Sequence, residues 1–205
     1  MSELVVIVLA RDPRQAKTRL RTVLSPQERR ALATAMLDDV LAAATATRWP
    51  VLVVTDARSI ATRARAAGAR AMVVPARGTR DGAGRGLARA ARDGATAALI
   101  VAADVPLVRT ADLRRIGAAG RRAPTVVVPD RRRSGTNALY VRPPTRIAPR
   151  FGRGSFAAHR AAGGREGRVL SIARVALDVD TPADLRALRR SARRAGPSTR
   201  AALAR

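Results

Sequence analysis

The stretch AALIVAADVPL, residues 97–107, decides how the rest of the chain is read. Its first seven residues are small or aliphatic without interruption, as a strand covered on both faces requires. Asp104 follows at once, ahead of a proline-initiated turn. Open α/β sheets present ligands at their strand ends, so a carboxylate there is a candidate for binding as well as for capping the next element. A second acidic segment, ALDVDTPADL at residues 176–185, has the same form. Residues 175–177 predict a short strand, and Asp178 and Asp180 follow it. Two carboxylates spaced Asp-x-Asp can turn two oxygens towards one cation, as hard divalent metals require, although they can equally form a double cap on the next helix. The chain has 15 Asp+Glu against 40 Lys+Arg. Acids at strand ends against that background read first as metal ligands of a phosphate-handling enzyme.

Outward from this stretch the pattern alternates. Residues 4–9 predict a buried first strand. Ser25-Pro26-Gln27-Glu28 supplies an N-cap, a first-turn proline and an acid for a long helix to about residue 47. Strands are expected at 51–55, 71–74 and 125–128. Helices are expected at 59–67, closing at Gly68, and at 110–119, capped by Thr110 and closed by Gly120. Residues 78–86 predict a glycine-rich loop leading into a helix that stops near Gly94. After Pro129 the pattern loosens to short strands at 138–141 and 168–171 around a helix at 155–162, and Thr181-Pro182 opens a last helix. The expected fold is a single-domain, Rossmann-like α/β structure with a mostly parallel sheet and helices on both faces. Residues 1–190 form the domain, and the small, basic, proline-broken residues 191–205 form a disordered tail.

Composition excludes several chemistries. There is no cysteine, hence no disulfide, thiolate metal site or cysteine nucleophile. Aromatics are 2% of the chain, so the core is built from Ala, Val, Leu and Ile. No apolar run is long enough to cross a bilayer, and MSELVVIVLARD has no basic region before its apolar stretch. The cytoplasm is the expected location. The net charge of +25 suggests a nucleic-acid or polyanion binder, but the arginines are dispersed and few aromatics are available to stack on bases. Of the 40 basic residues 39 are arginine, as GC-rich coding would produce. Lys17 is the exception, and lysine meets phosphate as a compact point charge where arginine imposes a planar fork.

Four segments carry chemistry. ARDPRQAKTRL (residues 10–20) joins the first strand to the long helix and presents Arg11, Lys17 and Arg19, either to a polyphosphate or to solvent. It lacks the glycines and GK[ST] ending of a Walker A loop. AADVPL carries Asp104. SGTNAL (134–139) with FGRGSFAAH (151–159) offers small residues whose backbone can approach an anion, and Ser155 stands where a helix begins. An ordinary turn with an N-cap explains them too. The only histidine, His159, reads as a helix residue supporting Ser155, not as a catalyst. The fourth segment is Asp178-Val179-Asp180.

Taken together, AKTRL, ADVPL, PDRRRSGTNAL, FGRGSFAAH and LDVDTPADL resemble one family over residues 4–188. It is the CofC/FbiD-like guanylyltransferases, which activate a small phosphorylated acid for coenzyme F-420 biosynthesis on a MobA-like, nucleotide-diphospho-sugar transferase fold. The resemblance implies transfer of GMP from GTP to phosphoenolpyruvate, with 2-phospho-L-lactate and 3-phospho-D-glycerate as alternative acceptors. It implies Mg2+ on Asp104, Asp178 and Asp180, acceptor contacts from Thr136, Gly152 and Ser155, and catalytic roles for Lys17 and Asp104. Arg11, Lys17 and Arg19 would neutralise the departing pyrophosphate. The downstream transferase that takes the guanylylated product is an implied partner. Arg11 replaces the family's usual lysine, and Ala88 its usual asparagine. A molybdopterin nucleotidyltransferase, a sugar transferase or a basic RNA-binding protein are the competing readings.

Overall fold

The computed structural model describes residues 4–75 and 78–204. Among these residues are strands β1 (Leu4–Ala10), β2 (Val51–Thr55), β3 (Arg70–Val73), β4 (Ala97–Ala102), β5 (Thr125–Pro129), β6 (Thr136–Val141) and β7 (Gly167–Val169). They form one sheet in the order β3-β2-β1-β4-β6-β5-β7. β1 pairs in parallel with β2 and β4, which puts the switch in strand order between β1 and β4. β6 alone is reversed, running antiparallel to both β4 and β5.

The alternation of strand side chains sorts the core into two layers. Leu4, Val6 and Val8 of β1 and Leu99 and Val101 of β4 face one layer. Val5 and Ile7 with Ala98 and Ile100 face the other. Ile7, Leu99 and Ile100 are wholly buried, and cutting any of them to alanine costs about 2–5 kcal/mol. The first layer is covered by helices α1 (Pro26–Thr45), α2 (Arg58–Ala66) and α4 (Thr110–Gly120), and the second by α3 (Thr79–Arg92) and α5 (Ser155–Gly163). α1 starts as its sequence predicts, with Ser25 Oγ accepting from the Glu28 amide and Glu28 accepting from the Ser25 amide.

Four expectations are corrected. The glycine-rich segment 78–86 is not a loop. Its residues from Thr79 onward are the first turns of α3, because Gly82 and Gly86 let that helix lie close on the sheet. A Cβ on Gly86 would stand 3.0 Å from Ile7 Cγ2 and 3.1 Å from Val54 Cγ2. Thr110 does not cap α4. Its hydroxyl donates to the Ala43 carbonyl, and Asp112 accepts from the Arg109 amide instead. Residues 175–177 are not a strand, since β6 occupies the place beside β4. The segment forms a helical turn, α6 (Ala173–Ala176), that drops Val175 into the core, so Asp178 and Asp180 follow a turn and not a strand.

The fourth correction is the C-terminal segment. Beyond α7 (Pro182–Arg190), a turn at Ala192–Arg194 leads into α8 (Pro197–Leu203), docked on α1. The buried Asp39 of α1 accepts from the amides of Ser198 and Thr199, supplying the N-terminal cap that the tail's own sequence lacks.

Candidate functional site

The carboxyl ends of β1, β2 and β4 open onto a cavity of about 390 Å3. Arg11, Lys17, Arg19, Asp56, Asp104 and Asp180 all line it. Because β6 is reversed, its first residues, Thr136 and Asn137, begin at this same edge, with Ala138 opposite Val101 of β4. One antiparallel strand thereby brings the chain's second half to the switch point of the first.

Lys17 is the centre of the site. Its backbone is left-handed, at φ 57° and ψ 32°, and leads into a turn of 3-10 helix, Thr18–Leu20, anchored by the wholly buried Leu20. Its Nζ donates to Asp104 Oδ2 at 2.5 Å and to Asp180 Oδ1 at 2.9 Å. The lysine side chain is only 6% exposed. Burial by itself would push the ammonium down, but the two carboxylates outweigh it and hold Lys17 above its ordinary value. Arg11 and Arg19 stay exposed on the cavity wall.

Asp178 joins this group by two contacts. The Val179 amide donates to the Asp104 carbonyl at 3.2 Å, which ties the Asp-x-Asp segment to the end of β4. Asn137 Nδ2 donates to Asp178 Oδ1 at 3.2 Å and to the Val175 carbonyl at 2.9 Å. Burial, then the charge of Asp104, pushes the Asp178 carboxyl up to about 6. All three predicted acids are therefore neighbours, although among the described residues no three His, Cys, Asp or Glu side chains form a ready metal cage. The donor set suits a hard divalent cation. It consists of carboxylate oxygens, two of which already share one cationic group, while the third is raised by burial first and by the charge of Asp104 second.

Motif spacing passes over two further acids. Asp12 is buried in the first loop, where its carboxylate is held by the Arg14 guanidinium, and its own amide donates to Asp56 Oδ1 at 2.6 Å. Asp56 follows β2 as Asp104 follows β4, and it lines the cavity. Ala88, the position lacking the family's asparagine, is exposed on α3 and lies outside the cavity lining.

Thr136, Gly152 and Ser155 lie outside the cavity lining, which their segment reaches only through Phe151. Gly152 has φ 109°, a conformation that side chains rarely adopt. The Ser155 amide donates to the Gly152 carbonyl, and Ser155 Oγ is buried with no hydrogen-bond partner among the described residues. An unmet buried hydroxyl costs about 1–3 kcal/mol, which a bound anion would recover. His159 does not support Ser155, as its place in the helix suggests. It hydrogen-bonds Thr136 Oγ1 through Nδ1 at 3.0 Å and the Arg150 amide through Nε2 at 2.8 Å.

Burial, with Arg150 adding to it, lowers the His159 imidazole to about 4. The unfolded chain, titrating near 6.5, then binds the extra proton first, so His159 withdraws stability as pH falls from 6.5 towards 4. Asp178 acts in the opposite sense, since a raised carboxylate penalises the fold above pH 6 and the penalty fades as pH falls towards 3.8. Melting temperatures at pH 7 and pH 4.5 separate the two. The drop on acidification should be smaller in His159→Gln than in the parent chain, and equal drops would show that His159 is not held neutral.

The family described as guanylyl transferase CofC like matches residues 4–190. A phosphoenolpyruvate guanylyltransferase of Sphaerobacter thermophilus is 40% identical over 178 residues, 84% of this chain and 86% of its own. The corresponding protein of Rubrobacter xylanophilus is 38% identical over 190 residues, 90% of this chain and 93% of its own. Among solved structures, one from Desulfovibrio desulfuricans G20, described provisionally as a nucleotide-diphospho-sugar transferase, superimposes with a TM-score of 0.79. It covers 99% of this chain and 94% of its own at 16% identity, a likeness of fold.

Proposed function

The chain belongs to the CofC-like guanylyl transferases, and from that premise we propose that it transfers GMP from GTP to the phosphate of phosphoenolpyruvate. The products are enolpyruvoyl-2-diphospho-5'-guanosine and pyrophosphate, a step of coenzyme F-420 biosynthesis. The observation that carries this reading is the buried Lys17 ammonium clamped between Asp104 and Asp180 at the floor of an arginine-walled cavity. A site of alternating fixed charges at a strand switch point suits a polyphosphate and its counter-ion. We propose residues 1–190 as the nucleotidyltransferase domain, of which the family match spans residues 4–190. No helix among the described residues is long and apolar enough to cross a membrane, in keeping with a cytoplasmic enzyme.

The chemistry asks little of the protein beyond placement. An oxygen of the acceptor phosphate, already ionised at neutral pH, attacks the α-phosphorus of GTP. The bond from that phosphorus to the β-phosphate bridging oxygen breaks, and pyrophosphate departs with the electron pair. No general base is needed, so catalysis is positioning plus electrostatics. Arg11, Lys17 and Arg19 offset the charge gathering on the leaving group. Asp104, Asp178 and Asp180 are the residues that would hold Mg2+, which supplies Lewis-acid polarisation of phosphoryl oxygens. Thr136, Gly152 and Ser155 hold the acceptor.

Incubation with GTP and an equimolar mixture of phosphoenolpyruvate, 2-phospho-L-lactate and 3-phospho-D-glycerate, read by mass spectrometry, tests the reading. The enolpyruvoyl product should dominate, and a dominant lactyl or glyceryl product would reassign the acceptor. Thr136→Ala and Ser155→Ala should each raise KM for the acid with KM for GTP little changed. The expected loss is about 1.5–3 kcal/mol for a hydroxyl hydrogen bond to a charged partner. A change in the GTP parameter instead would exchange the donor and acceptor assignments.

A further inference from the structure

We propose that His159 is a positioning residue that fixes the direction of the Thr136 hydroxyl, so that this hydroxyl donates to the acceptor anion. The inference rests on Thr136 being an acceptor contact, and it assigns a task to a side chain that touches no substrate. The Arg150 amide donates to His159 Nε2 at 2.8 Å, so Nε2 must carry the lone pair. A neutral ring then holds its proton on Nδ1, the atom that faces Thr136 Oγ1 at 3.0 Å. His159 is the donor in that contact and Thr136 the acceptor. The threonine's own proton is thereby released to point elsewhere.

The direction matters because the ligand is an anion. With the opposite tautomer, Thr136 would spend its proton on the imidazole and turn lone pairs towards a phosphate or carboxylate. Burial keeps the ring neutral over the working pH range, which prevents a second ring proton from competing with the Arg150 amide. His159 is wholly buried at the centre of α5, and its ring meets Phe151 edge-on at 5.3 Å between centroids. Thus one imidazole grips the loop at residues 150–151 with one nitrogen and orients a hydroxyl on β6 with the other. Backbone hydrogen bonding selects the tautomer, and the tautomer selects the hydroxyl.

Two amide substitutions divide these duties. In His159→Asn the side-chain amide lies where Nδ1 was, so it can still donate to Thr136. In His159→Gln the amide reaches the Nε2 position, where it can serve the Arg150 amide but not Thr136. Steady-state kinetics should show KM for phosphoenolpyruvate about tenfold higher in His159→Gln, unchanged KM for GTP, and most of the loss restored in His159→Asn. Adding Thr136→Ala to His159→Gln should cost nothing beyond Thr136→Ala alone, because one interaction is being removed twice.

A His159→Gln enzyme with the parent's acceptor KM, alongside a weakened Thr136→Ala, would overturn the role of His159 while leaving the acceptor site in place. Equal damage in both amide variants, with both KM values moved and melting temperatures lowered together, would reduce His159 to a packing residue and overturn the proposal. If Thr136→Ala itself leaves the acceptor KM unmoved, the acceptor assignment falls and this inference falls with it.

Discussion

Asp104→Asn, Asp178→Asn and Asp180→Asn each lower guanylyl transfer by about a thousandfold or more. Each removes a charge from the group that stabilises developing phosphoryl charge, a contribution of several kcal/mol at 1.36 kcal/mol per tenfold. Asparagine keeps the shape of every site, which separates charge from packing. The amide oxygen at position 178 can still accept from Asn137 Nδ2, so that variant should fold normally. Positions 104 and 180 differ, because both accept from the buried Lys17 ammonium. Asp104→Asn leaves that cation with one charged partner, and its melting temperature should fall as well as its rate. Measured turnover at limiting and saturating Mg2+ completes the test. Near-parent rates in all three variants at limiting Mg2+ would remove the metal assignment.

Much of this site is legible in the sequence because it obeys strand-end logic. The run before Asp104 is a strand as read, and its end is the switch point. The same logic applied to VVTDA, where Asp56 follows the strand that ends at Thr55, would have found a cavity acid that motif spacing passes over. Asp178 and Asp180 lie close to Asp104, but not for the local reason that the pattern suggests. They follow a helical turn, and what joins them to Asp104 is the Lys17 ammonium shared with Asp180 and a backbone hydrogen bond from Val179. No local pattern encodes either contact, since both span the chain.

The remaining errors have the same physical origin. Local propensity marks the four glycines of residues 78–86 as loop, yet Gly82 and Gly86 are chosen by the distance between α3 and the sheet. The tail looks unable to fold because its cap is elsewhere: Asp39 lies 159 residues from Ser198, which donates to it. His159 shows the limit most clearly. Its position on α5 was readable, but its partners on β6 and in the preceding loop depend on a reversed strand that the loosened pattern after Pro129 did not announce.

Lys17→Arg is the second variant with a large expected effect, about a hundredfold in rate, although it conserves charge and follows the chain's own preference for arginine. The slot around Nζ leaves the side chain 6% exposed between two carboxylates, room for a compact ammonium and not for a planar fork on a longer stem. Lys17→Met isolates a different consequence. The ammonium satisfies the same Asp104 and Asp180 oxygens that would hold a divalent cation, so the two cations would compete. A metal on those oxygens would leave Lys17 to seek another partner, which under the proposed function would be a phosphate of GTP. Calorimetric titration of Mg2+ into enzyme without GTP should therefore show tighter binding in Lys17→Met than in the parent, even as turnover collapses. Weaker or unchanged binding would mean that the metal does not use the Asp104 and Asp180 oxygens that Lys17 holds, and Lys17 would then be a fixed strut of the site and not a counter-charge that the metal releases.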